Sequence, residues 1–173
     1  VIIIPCYDEP EISKTIHSLF NCENPGCYVA LFVVINSSID SPEKAVSQNE
    51  ISFKEIVELS VKSPQWLHVH VLNVKGLPSK NAGVGWARKI GMDMAVVHFN
   101  LSDNKNGIII SLDADTLVEK NYLTSINNFY NNSPDDIAAS IYFEHPLNVG
   151  YTNNAIVMYE LYMRYYKNAV TAS

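Results

Sequence analysis

Asp113 and Asp115 are the residues of this chain best placed to do chemistry, two carboxylates two positions apart behind the run Ile108-Ile109-Ile110-Ser111-Leu112. Along an extended backbone, side chains at i and i+2 point to the same side. The pair is therefore expected to project together from the carboxyl end of a buried strand. Two bare carboxylates that close repel each other unless a cation sits between them. A hard divalent ion, Mg²⁺ or Mn²⁺, is the natural occupant, because such ions take few carboxylates and complete their shell with substrate phosphates. The competing reading is a pair of solvated aspartates in a turn, where Asp is common.

Three other clusters carry polar chemistry. Pro5-Cys6-Tyr7-Asp8-Glu9-Pro10 follows an apolar opening; Pro5 is expected to halt the strand, and the helix behind it offers unpaired N–H groups to an anion. Tyr7 can pack against a flat base, and Asp8 or Glu9 can accept from a base or ribose. The competing reading makes Asp8 a helix cap, with the acidic first-turn residues complementing the helix dipole. Asn36 opens a polar stretch and presents an amide that can both donate and accept. In Lys80-Asn81-Ala82-Gly83-Val84-Gly85-Trp86-Ala87-Arg88-Lys89-Ile90-Gly91, Gly83 and Gly85 let the backbone approach a ligand. Lys80, Arg88 and Lys89 lie where a diphosphate would need countercharge. The glycine spacing is neither a dinucleotide fingerprint nor a P-loop, and Arg88 taken alone also reads as a surface helix residue.

These residues need elements to position them. Strands are predicted at Val1–Ile4, Val29–Ile35, Leu67–Leu72, Gly107–Leu112 (central) and Ile137–Phe143, and helices at Glu11–Phe20, Ile51–Val61, Ala82–Phe99, Glu119–Tyr130 and Asn154–Asn168. Asn36–Asn49 is read as a polar loop. The alternation predicts an α/β fold, a mostly parallel sheet with helices on both faces. In such sheets ligands bind beyond the carboxyl ends of the strands, and Pro5–Glu9, Asn36–Asp40, Lys75–Gly85 and Asp113–Asp115 all fall there. Their convergence on one rim is what makes the carboxylate pair a candidate site.

Composition sets the bounds. At 173 residues the chain fits a single domain, 1–173, with a sizeable core. Its 47% hydrophobic and 17% charged residues exclude disorder, and a net charge of −6 argues against nucleic acid as a partner. The three cysteines, Cys6, Cys22 and Cys27, form no disulfide framework, which points to a reducing, cytoplasmic compartment. No apolar run reaches membrane-spanning length. Val1 opens inside an apolar strand with no Met, which predicts residues upstream.

Ile4-Pro5-Cys6-Tyr7-Asp8-Glu9 is close to "IIPxYNE", Asn81 to Gly91 to "NxGxxxARNxG", and Leu112-Asp113-Ala114-Asp115 to "xDxD". In this order and spacing the chain resembles the family 2 glycosyltransferases of the Rossmann-like GT-A fold, with the likeness running to about Phe143. The resemblance implies a nucleoside-diphosphate sugar donor, Mn²⁺ or Mg²⁺ on its diphosphate, and transfer, with inversion expected, to a hydroxyl of a glycan, lipid or protein. Carried over by position, Pro5, Tyr7 and Glu9 line the nucleotide pocket, with Asn36 offered to the base. Asp113 approaches ribose or metal, Asp115 ligates the metal, and Lys80 and Arg88 lie near the pocket or its support. Two departures stand out. The family's acidic base reader after the second strand is replaced by Asn36-Ser37-Ser38, and Lys89 replaces its usual Asn. The downstream carboxylate that serves as general base is expected beyond Ser173, making the chain a fragment of a longer catalytic domain.

Other readings compete. Leu112-Asp113-Ala114-Asp115-Thr116-Leu117 also fits the "hDxDxT" strand of haloacid-dehalogenase-type phosphohydrolases, in which Asp113 would attack phosphorus. A sugar-nucleotide pyrophosphorylase should carry a glycine-rich first loop, and Pro5-Cys6-Tyr7 has none. A transferase-like module that holds nucleotide without turnover remains a third. His68 and His70 share a strand face and read as its partly exposed side before a metal pair. His145 reads as a loop residue that could meet an acceptor. Tyr159, Tyr162, Met163 and Tyr166 form a helical stripe, expected to pack, with a sugar-stacking surface or a peripheral anchor at the inner membrane face as lesser readings.

Overall fold

Ile2–Cys6 forms β1, and every residue of it is buried. A strand buried on both faces reads as a continuous apolar run and belongs inside a parallel sheet. β1 pairs in parallel with β2 (Val29–Ser38) on one side and with β4 (Ile110–Ser111) on the other, and β3 (Leu67–Leu77) pairs in parallel with β2. The order is β3-β2-β1-β4. The computed structural model describes residues 1–145 and 152–171, in two compact units, Val1–Ser133 and Pro134–Ser173.

Helices cover both sheet faces. Ile2 and Ile4 of β1, with Leu31, Val33 and Ile35 of β2, pack on one side against Ile12, Ile16 and Leu19 of α1 (Ile12–Phe20). Ile56 and Leu59 of α2 (Glu43–Ser60) and Leu123 of α4 (Tyr122–Asn132) close the same core. Each fully buried aliphatic side chain here contributes about 1.5–3 kcal/mol. On the other face α3 (Val84–Leu101) lies on β1 and β2 through its buried Ala87, Gly91 and Ala95. The α/β fold with a parallel sheet and helices on both sides is thus the architecture present.

Several expectations are corrected. Pro5 does not end β1; it pairs opposite Val34. Pro5 shares the parity of Val1 and Ile3, whose carbonyls accept from Ile110 and Leu112 of the β4 segment. Its missing N–H thus points to where β4 has already ended, so no ladder bond is lost. The stretch Asn36–Asn49 is not a loop: β2 continues through Ser38 and α2 begins at Glu43, eight residues before the predicted start. The buried stripe of α2 is Ala45, Asn49, Ser52, Ile56 and Leu59. Its first half is small and polar, so hydrophobic periodicity cannot reveal it. β3 likewise runs on to Leu77. β4 is a short edge strand among the described residues, not a central one, with Ile109 and Ser111 exposed; an apolar run alone does not tell edge from centre. Residues Ile137–Phe143 form no strand. Ile137 is fully exposed, and an alternating pattern supplies a face but not a partner.

In the second unit, α5 (Thr152–Thr171) carries Glu160, whose carboxylate accepts from the His145 backbone N–H at 2.6 Å and meets His145 Nδ1 at 2.9 Å. Arg164 donates to Tyr142 Oη at 2.7 Å and to Glu160 Oε2 at 3.3 Å. The stripe of Tyr159, Tyr162, Met163 and Tyr166 is exposed. No helix among the described residues is long and apolar enough to cross a membrane.

A Cβ at position 91 would overlap Ile3 Cγ2, and Ile3 is fully buried and has nowhere to go. Gly91→Ala is therefore expected to destabilise the domain by about 1–3 kcal/mol through overpacking, read as a lowered urea midpoint; an unchanged midpoint contradicts this packing.

Candidate functional site

The four polar segments meet at the carboxyl ends of β1, β2 and β4. After Cys6 the chain turns at Asp8, which takes φ +49°, a left-handed conformation that Asp tolerates better than most residues. The Asp8 N–H donates to Asn49 Oδ1 at 2.9 Å, and Ser52 Oγ donates to the Glu9 carbonyl at 2.8 Å. The polar half of the α2 stripe is thus what holds this loop. Glu9 Oε1 accepts from the Glu11 N–H at 2.8 Å, satisfying a donor at the entry to α1.

The carboxylate loop is tied down from α1. Thr15 Oγ1 donates to the Ala114 carbonyl at 2.6 Å, and Ser18 Oγ accepts from the Val118 N–H at 3.2 Å. Because β4 ends at Ser111, Asp113 and Asp115 occupy a turn rather than an extended strand end. The Thr116 N–H donates to the Asp113 carbonyl at 3.3 Å. Strand alternation is therefore not what brings the two carboxylates together, though both border one cavity.

α3 is placed by Asn36, which is buried and whose Nδ2 donates to the Gly83 carbonyl at 3.0 Å. The Asn36 carbonyl in turn accepts from Asn49 Nδ2 at 3.5 Å. Gly83, at φ +107°, turns the chain into the helix in a conformation that only glycine takes readily. Val84 and Arg88, one turn apart, then lie on the same helix face. Arg88 Nη2 donates to Asp113 Oδ1 in an ion pair.

The resulting cavity, about 390 Å³, is lined by Pro5, Tyr7, Glu9, Asn36, Arg88, Asp113 and Asp115, with Cys6, Val84 and Ala114 completing it. The structure thus brings together all the predicted site residues except Lys80, which lies on the exposed short turn Ser79–Asn81, away from the wall. The longer β3 and this turn carry it there. The Arg88–Asp113 contact had no signal in the sequence, since a 25-residue separation implies no proximity. Cys6 was visible only as a thiol beside Pro5. Burial, reinforced by the Glu9 charge, pushes its pKa up to about 12.

The parallel α/β sheet with a cleft of carboxylates and one arginine at its strand ends is Rossmann-like, consistent with the GT-A type. The chain belongs to glycosyl transferase family 2: that family's model matches residues 1–171. Neither the curated proteins nor the solved structures contain a match. As a member, it is a glycosyltransferase, and its general partners are a nucleotide-sugar donor and an acceptor. The match over nearly the whole chain favours the transferase over the phosphohydrolase alternative.

The thiols give a direct check on this geometry. Cys6 and Cys22 are buried and Cys27 exposed, and burial raises the pKa of both buried thiols. At pH 8 a thiol-specific chromogenic reagent should titrate one cysteine rapidly in the native protein and three after unfolding. The folded-state pKa of Cys6 lies above its ordinary 9.0. Its contribution to stability is therefore complete below about pH 9 and declines between about pH 9 and 12, as the unfolded thiol ionises first. Rapid labelling of Cys6 at pH 8 would overturn the buried wall.

Proposed function

We propose that this domain moves a sugar from a nucleoside-diphosphate donor to an acceptor hydroxyl, with the diphosphate and a divalent cation, Mn²⁺ or Mg²⁺, gathered at Asp113 and Asp115. The observation that carries this reading is the charge of the cavity wall: three carboxylates, Glu9, Asp113 and Asp115, against one guanidinium, Arg88. An anionic diphosphate meets net repulsion there unless a cation comes with it. Among the described residues no group of three or more His, Cys, Asp or Glu is arranged to hold a metal alone. Two carboxylates plus substrate phosphates suit a hard dication that keeps few protein ligands. When bound, the ion would offset charge developing on the leaving diphosphate.

The chain's own groups divide the remaining work. Tyr7, about half exposed at the rim, offers a ring for a base to stack on. Pro5 shapes the wall beside it, and Glu9 offers an acceptor to base or ribose. Asn36 acts from below, since its Nδ2 is committed to Gly83 and so fixes the helix end that carries Arg88. Arg88 supplies a donor fork suited to phosphate oxygens. Cys6, a buried thiol that stays protonated, takes no part in the transfer, which we read as direct displacement. In that step the acceptor hydroxyl gives its proton to a general-base carboxylate. Its oxygen forms the bond to the anomeric carbon opposite the breaking bond to the diphosphate, which departs as the anion, and the centre inverts. The acceptor is a glycan, lipid or protein hydroxyl. A cytoplasmic location is supported by the three free cysteines, and peripheral contact with the inner membrane face by the exposed tyrosines of α5.

Calorimetric titration with ADP, GDP, UDP and CDP, with and without Mn²⁺, tests this. At least one should bind in a Mn²⁺-dependent way, and Asp115→Ala should weaken it by about tenfold or more, the effect expected of losing a charged contact. No binding by any of the four, or an indifferent Asp115→Ala, would sink the proposal.

A further inference from the structure

Resting on that donor-site reading, we propose that Arg88 exchanges partners: it holds Asp113 before the donor arrives, then yields that carboxylate to the divalent cation as the diphosphate takes the guanidinium. Arg88 therefore acts as an internal stand-in for the metal and couples metal binding to donor binding.

Three observations lead there. Arg88 Nη2 is bonded to Asp113 Oδ1, and both residues line the cavity. A guanidinium and a dication on one small carboxylate repel each other, so the cation must displace Arg88 before it can ligate Asp113 fully. The second observation is that Arg88 Nε is buried without a hydrogen-bond partner among the described residues. A guanidinium carries five donors in a fork matched to carboxylate and phosphate oxygens, and an unsatisfied buried donor is costly. The pairing with Asp113 thus leaves Arg88 under-satisfied, and a diphosphate offers the acceptors it lacks. Finally, the helix that carries the side chain is held in place while the ion pair itself is partly exposed. α3 is pinned by the Asn36–Gly83 bond and by Gly91 against Ile3. The side-chain end of the Arg88–Asp113 pair is partly open, at 35% and 58% exposure. Exchange then needs side-chain rotation alone, with no movement of the helix.

The consequence is an order of events. A divalent ion alone meets an Asp113 already paired, which leaves Asp115 as the only free carboxylate of the pair, so binding is weak. Diphosphate draws Arg88 away, frees Asp113 and brings its own oxygens, so ion and donor strengthen each other by the same factor. The site thereby avoids holding metal unproductively in the absence of donor.

The test separates this exchange from a merely structural arginine. Mn²⁺ is titrated without nucleotide, following free Mn²⁺ by electron paramagnetic resonance, against wild type, Arg88→Met and Arg88→Lys. Arg88→Met should bind Mn²⁺ about 2- to 5-fold more tightly, the scale of a partly exposed ion pair. The same variant should bind the nucleoside diphosphate in Mn²⁺ about tenfold or more weakly, the scale of a lost charged hydrogen bond. Arg88→Lys keeps the charge and should leave Mn²⁺ affinity near wild type while losing part of the nucleotide affinity. Opposite signs in Arg88→Met are the signature; unchanged or weaker Mn²⁺ binding overturns the exchange. A measurement on Arg88 itself covers the case in which Arg88→Met does not fold. The sequence has two arginines, Arg88 and Arg164, so Arg164→Lys leaves one Nε–H resonance, that of Arg88. It should shift when nucleoside diphosphate and Mg²⁺ are added, and a stationary resonance with bound nucleotide overturns the proposal. A wild type that binds none of the four diphosphates overturns the donor reading and the exchange together. Normal nucleotide binding with an unaltered Mn²⁺ affinity in Arg88→Met overturns the exchange alone.

Discussion

The close approach of α3 to β1 at Gly91 governs where everything on the site's basic side can stand. Ile3 fills the space a side chain at 91 would need, and Ala87 and Ala95, fully buried one turn to either side, keep the helix equally near the sheet. A helix seated on small residues is fixed in depth and rotation, because interiors are close-packed and yield little. Arg88 follows Ala87 directly, so with Ala87 facing the sheet its side chain is directed to the strand ends. The Asn36–Gly83 hydrogen bond adds the remaining restraint, along the helix axis. A single guanidinium is thereby delivered to a wall otherwise dominated by carboxylates.

That charge imbalance organises the chemistry. A pocket for an anion is ordinarily lined with cations, and this one is not. The arrangement makes sense for a ligand that arrives as a metal complex, in which the dication is shared between protein and substrate oxygens. It also explains why Arg88 and Asp113 pair with each other across the cleft. With three carboxylates in one small cavity, leaving Asp113 without a countercharge would be electrostatically unfavourable.

Much of the plan was legible in the residues. The apolar runs of β1 and β2 located the sheet, and the turn chemistry after them located its rim. The parallel α/β reading follows from alternation alone. What escaped was information carried by polar residues in buried places. The first half of α2 gives no helical signal because Ala45 and Asn49 occupy its core-facing stripe, where a hydrophobicity pattern expects large apolar side chains. The edge position of β4 among the described residues has no sequence signal, because four apolar residues look the same at an edge as in the middle. The alternation of Ile137–Phe143 suggests a strand, but a strand exists only with a partner to bond. Asp113 and Asp115 share a cavity because a turn held by Thr15, not an extended backbone, places them there.

Asn49, Ser52 and Thr15 all break the hydrophobic pattern of their helices, and each hydrogen-bonds a backbone group of a loop that borders the cavity. A chain selected for stability alone would fill those positions with aliphatic side chains and gain core. Here they hold Asp8 in a left-handed conformation and keep the Ala114 peptide still, constraints a minimal fold has no use for. Local departures from good patterning tend to gather where a protein does its work. The orphaned Arg88 Nε belongs with them, since it is the one donor of this set that the protein leaves without a partner. The anchoring groups have their partners and the cation does not, an arrangement suited to a ligand. Acceptors beside Arg88 are what it lacks, and on the proposed function a diphosphate would supply them.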